Sequence, residues 1–63
     1  MGMTREEVIE TMIDVVNVYN IELLAGTGMP DEEIERNLIQ QRPALEHMFG
    51  LIYQTFINRG ILS

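Results

Sequence analysis

The stretch TREEVIETMIDVVNVYNIELL, residues 4–24, decides the fold. Its opening, Thr4-Arg5-Glu6-Glu7, is a capping-box pattern: the Thr4 hydroxyl can accept from the backbone N–H of Glu7, whose carboxylate can reach back to the N–H of Thr4. From there Ile9, Met12, Ile13, Val16, Tyr19 and Leu23 recur at threes and fours, the helical period, although several are β-branched residues that would suit a strand locally. A helix is expected from Thr4 to about Leu24.

Gly26-Thr27-Gly28 follows, and glycine tolerates left-handed φ, so the helix should stop on Gly26 or Gly28, with Met29 packing back on Leu24 in the second case. Pro30 suits the first turn of a new helix because its missing N–H costs nothing there. Asp31, Glu32 and Glu33 then lie where the helix dipole favours negative charge. Ile34, Leu38 and Ile39 give this short helix its inward face. Pro43 disfavours helical geometry at Arg42 and removes a backbone donor, so a break or kink is expected at Gln41–Arg42. A third helix then carries Leu45, Met48, Phe49, Ile52 and Phe56 at threes and fours. It should stop at Asn58-Arg59-Gly60, with Gly60 left-handed and Ile61 packing back on Phe56.

The predicted architecture is all-α, a three-helix chain of long, short and medium helices forming a helical hairpin that dimerises into a bundle. Residues 1–63 make a single small helical domain, with no internal repeat, low-complexity segment or linker. Residues 1–3 are expected to stand outside it, since Met1-Gly2 ahead of Met3 reads as a cloning remnant before a natural start.

Sixty-three residues allow one small domain. By area scaling a 7.3 kDa globule exposes roughly 4,200 Å² against roughly 10,600 Å² for the extended chain. The apolar gain then nearly equals the cost of ordering the chain, so a lone monomer would be marginal. With no cysteine and one histidine, neither a disulfide nor a multi-histidine zinc site can staple it, which leaves self-association or a bound partner.

The distribution of apolar residues points the same way. On the first helix Val8, Val15, Val18 and Ile21 fall outside the main stripe, leaving a polar strip of little more than Glu10, Asp14 and Asn17. From Pro43 onward only Glu46 and Arg59 are charged, whereas residues 1–42 hold nine acids and three arginines. A helix polar along only a narrow strip is normally flanked by several neighbours, and a homodimer is the simplest supplier.

Ten acidic residues against four arginines give a net charge of −6, which disfavours non-specific nucleic-acid binding. No apolar run approaches the ~18 residues of a membrane span, and the amino terminus lacks a signal peptide's order, so the chain reads as soluble and cytoplasmic with no membrane partner.

Chemistry-bearing patterns are few. Glu46 and His47 are neighbours, and adjacent helix residues point about 100° apart, so they do not form an acid–base pair; His47 reads as a boundary residue. Glu6/Glu10 and Glu10/Asp14 have helical spacing, but the Glu-x-x-His motifs of di-iron bundles are missing, and a solvated acidic face is the expectation. Four threonines and Ser63, with one distant histidine, make no nucleophilic triad. Gly26-Thr27-Gly28 lacks the spacing and the Lys-Ser/Thr of a phosphate loop. No enzymatic activity, cofactor or metal is expected.

Leu24, Gly28 and Ile34 echo helix-turn-helix spacing, but the would-be recognition helix presents Asp31, Glu32, Glu33 and Glu35 where phosphates would lie, so direct nucleic-acid reading is rejected. The expected function is that of a small acidic non-enzymatic helical protein acting by protein–protein binding. It would serve as an adaptor, inhibitor or regulatory modulator, of a sort common among bacterial and phage products. The expected partner surface is the last helix, with Met48, Phe49, Ile52, Tyr53 and Phe56 as anchors and Arg59 at the rim. The alternative is an acidic DNA mimic that occupies a nucleic-acid-binding protein's groove.

Overall fold

A computed structural model describes residues 2–61. Met1, part of the expected cloning remnant, and Ser63, weighed above as a nucleophile, lie outside the described residues.

Helix α1 spans Arg5–Gly26 and α2 spans Asp31–Asn58. The capping box that opens α1 is formed as expected: the backbone N–H of Glu7 donates to Thr4 Oγ1 at 3.1 Å, and the Thr4 N–H donates to Glu7 Oε1 at 3.4 Å. The stop falls on Gly28 rather than Gly26. With φ at +84°, Gly28 donates its N–H to the carbonyl of Ala25 at 3.0 Å, and Met29 donates to that of Leu24 at 3.3 Å. That pair of bonds is the Schellman ending, and it satisfies two of the carbonyls that a helix end leaves open. The same device closes α2, where Gly60 has φ of +73° and Ile61 donates to the carbonyl of Phe56 at 2.9 Å.

Pro30 stands one residue ahead of α2 as its extended N-cap, accepting from the N–H groups of Glu33 and Ile34 through its carbonyl. Asp31, Glu32 and Glu33 fill the first turn, where the exposed N–H groups favour negative charge.

The expected third helix does not exist. There is no break at Gln41–Arg42: Pro43 sits inside α2, which runs unbroken for 28 residues. At about 1.5 Å per residue that is about 42 Å, matching the molecule's long dimension of 42 Å. Two physical reasons outweigh the proline penalty. The inward positions Ile34, Leu38 and Gln41 before Pro43, and Leu45, Phe49 and Ile52 after it, share one helical period, so only an unbroken helix keeps both halves against α1. The hydrogen bond that proline forbids is the one to the carbonyl of Ile39, and Ile39 and Pro43 both lie on the exposed side of α2, where losing that bond costs less than it would in the seam. The sequence also offers no Ser, Thr, Asp, Asn or Gly at 40–42 to cap a fresh helix.

The fold is therefore a two-helix antiparallel hairpin. Its core is the cluster Ile9, Ile13, Leu45 and Phe49, with Met12, Val16 and Ile52 packed against it. Ile13 is fully buried. Ile34 is the other buried apolar side chain, near the turn. The Cα radius of gyration is 14.0 Å, against about 10.6 Å for a compact domain of this length. The accessible surface of 4904 Å² likewise exceeds the roughly 4,200 Å² of a globule of this mass. An elongated hairpin leaves apolar surface uncovered that a globule would bury.

Candidate protein-binding surface

The seam between the helices fixes where every other side chain points. It is built from Ile9, Ile13, Val16, Asn20 and Leu24 of α1 and Ile34, Leu38, Gln41, Leu45, Phe49 and Ile52 of α2, all buried or half-buried. Across one edge of it the Arg42 guanidinium pairs with Glu10 of α1 and lies 3.6 Å from Glu46 Oε2, one turn further along α2. Glu10, Arg42 and Glu46 thus mark one side of the hairpin as its charged edge. These groups are about half exposed, so the pairs contribute at most ~1 kcal/mol each. Their value here is positional.

On the opposite side of the seam, roughly a third of a turn away on each helix, the residues are apolar away from the turn, while toward the turn the same α2 stripe continues as Gln40, Asn37 and Glu33. On α1 the apolar ones are Met12, Val15, Tyr19 and Leu23, and on α2 they are Ala44, Met48 and Leu51. Val15 is 65% exposed and Tyr19 62% exposed, and Leu23, Met48 and Leu51 are exposed with them. Met12 and Val16 are half-buried and connect this face to the core cluster. Charged residues are absent from it along the Val8–Tyr19 stretch of α1.

A second apolar surface comes from unequal lengths, since α2 has 28 residues and α1 has 22. Arg5, the first residue of α1, lays its guanidinium in the space that Gly50 leaves open; a Cβ on Gly50 would stand 2.8 Å from Arg5 Nη2. The chain beyond about residue 52 therefore runs past the start of α1. Phe56 continues the seam of Leu45, Phe49 and Ile52 with no α1 side chain left to meet it, and it is exposed together with Ile57 and Ile61.

The residues expected to contact a partner divide between these surroundings. Phe49 is in the core, Ile52 packs against it, and Tyr53 is half-buried. Met48 lies on the broad apolar face. Phe56 is on the overhang, and Arg59, the C-cap residue of α2, is exposed beside it. Leu51, Tyr19 and Leu23 join the surface instead. Tyr19 and Leu23 read as inward from spacing, whereas Asn20 and Leu24 take the seam; the signal that could have found this is the exact continuation of the 9, 13, 16 spacing to 20 and 24.

The turn end is more polar. An open cleft of about 370 Å³ is lined by Asn20, Leu24, Asn37, Gln40 and Gln41. On the charged side a cleft of about 300 Å³ lies between Ile21, Ala25, Ile34 and Leu38, rimmed by Asp31 and Glu35. Beside the seam, between it and the Glu10 side of α1, the Oδ1 of Asn17 is buried without a hydrogen-bond partner among the described residues. Among the described residues no group of His, Cys, Asp and Glu is placed to hold a metal ion, and no helix is long and apolar enough to cross a membrane. No family model, no curated protein and no solved structure matches the chain.

Proposed function

We propose that this chain is a non-enzymatic helical hairpin that acts by binding another protein, as an adaptor, inhibitor or modulator, and that it does so as a homodimer. One observation carries the reading: twelve large apolar side chains are exposed and five are buried among the described residues. Scattered apolar exposure is ordinary, but contiguous apolar surface on a small soluble domain marks a place of association. We place the docking site for the second protein on the overhang of α2, where Phe56 continues the seam past the start of α1 and is exposed with Ile57 and Ile61 beside the charge of Arg59.

The test retains proteins from a cell extract on the immobilised chain and compares the wild type with two double variants of unchanged helicity. Phe56→Ala with Ile57→Ala should abolish retention of the specific partner, and Glu32→Gln with Glu33→Gln should leave it intact. Retention that instead falls on neutralising the acids, with steep salt dependence, replaces this reading with mimicry of DNA. No specific retention by the wild type refutes it.

A further inference from the structure

We infer that the broad face of Met12, Val15, Tyr19 and Leu23 on α1 and Met48 and Leu51 on α2 is the seat of a second copy of this chain, the two hairpins closing into a four-helix bundle. The inference rests on the homodimer in the proposed function and assigns its interface, leaving the Phe56–Ile57 overhang to the other protein.

Size is the first argument. The accessible surface of 4904 Å² exceeds by roughly 700 Å² that of a globule of this mass, close to the ~800 Å² that each partner contributes to a standard interface. Continuity is the second. Met12 and Val16 pack against the core cluster on one side and border Val15 and Tyr19 on the other, so a copy seated there would extend one core rather than create a separate patch. Five buried apolar side chains among the described residues are few for a 63-residue chain with no cysteine, and a doubled layer of helices is the usual remedy.

Charge is the third argument. The Glu10–Arg42–Glu46 edge, with Asp14 one turn beyond Glu10, faces away from this side. Two copies of net charge −6 can therefore meet without bringing those carboxylates together, and the one carboxylate on the α2 stripe of Met48 and Leu51, Glu33, lies at its turn end, away from them.

Absolute mass by light scattering across a hundredfold concentration range should give twice 7.3 kDa. Leu51→Glu places a charge in the face and should weaken dimerisation roughly a hundredfold, whereas Ile39→Glu, exposed on the other side of α2, should leave the mass unchanged. Should Leu51→Glu fail to fold, a second measurement uses the native surface. In Tyr53→Phe, Tyr19 is the sole fluorophore, because the chain has two tyrosines and no tryptophan. Its quenching by acrylamide should fall several-fold as the dimer forms. A dimer in which Tyr19 stays fully quenchable overturns the assigned face. A monomer at every concentration that still retains a partner through Phe56 overturns the self-association and leaves protein binding standing; a dimer that retains nothing does the reverse.

Discussion

Replacing Pro43 by alanine should stabilise this protein, and the size of the gain tests whether α2 is one helix. In a helix interior proline is about 3 kcal/mol less favourable than alanine, through the lost N–H and the clash of its ring with the preceding turn. Alanine at this position supplies the N–H that the carbonyl of Ile39 lacks. Pro43 is exposed, so its removal sacrifices little packing. Against the gain stands the greater freedom of the unfolded chain without proline, ~0.4–1 kcal/mol. The net is about 2 kcal/mol in favour of Pro43→Ala.

Urea unfolding followed by far-ultraviolet circular dichroism reads this directly, at one fixed chain concentration because association adds to stability. With a slope of ~1 kcal/mol per M for so small a domain, the midpoint should rise by about 2 M. The amide of the new alanine should also be protected from hydrogen exchange. An unchanged or lowered midpoint refutes the continuous helix. If Pro43 instead opened a separate helix, it would occupy the first-turn position that favours proline, and alanine would gain nothing there.

Three smaller perturbations check other parts of the structure. Asn17→Leu removes the buried, unpartnered Oδ1 beside the seam and should raise stability by about 1–3 kcal/mol in the same unfolding assay; a loss would show that the amide has a partner. Thr4→Ala deletes the hydroxyl that accepts from Glu7, and thermal unfolding should show a cost of about 1 kcal/mol. Glu10→Gln breaks the half-exposed pair with Arg42, and its effect should stay below ~1 kcal/mol and shrink further as salt is added.

The helix ends were the most legible part of this chain because their chemistry is local. Thr4 and Glu7 satisfy each other within four residues, and Gly60 ends α2 by a backbone requirement no other residue type meets as readily. The choice between Gly26 and Gly28 was not local in the same way, since either glycine can adopt positive φ. Pro43 was misread because its penalty is a local rule, while the reason to tolerate it, a common inward face on both sides of the proline, belongs to the packing of α2 on α1. Tyr19 and Leu23 failed for the same cause. Spacing shows that α1 has apolar residues over a wide arc, but only the position of α2 decides which part of the arc is the seam. Of the α1 half of the broad apolar face only Val15 stood out as excess to the inward stripe, and the α2 half, Met48 and Leu51, shows only as the scarcity of charge after Pro43.

The placement of the core along the hairpin has a consequence for the order in which the chain folds. Its four members sit at the end away from the turn, with Ile13 and Leu45 separated by 32 residues and Ile9 and Phe49 by 40. Beside the turn stand Asn20, Asn37, Gln40 and Gln41, with Ile34 buried and Leu24 and Leu38 half-buried among them. Contacts that are quick to make carry little reward, and the rewarding ones require closing a loop about eight times longer, which costs about 2 kcal/mol more in chain entropy. Zippering outward from the turn therefore starts on Leu24, Ile34 and Leu38 and reaches the core only at Ile13 and Leu45. The larger share of the apolar gain therefore comes late, when the ends remote from the turn meet.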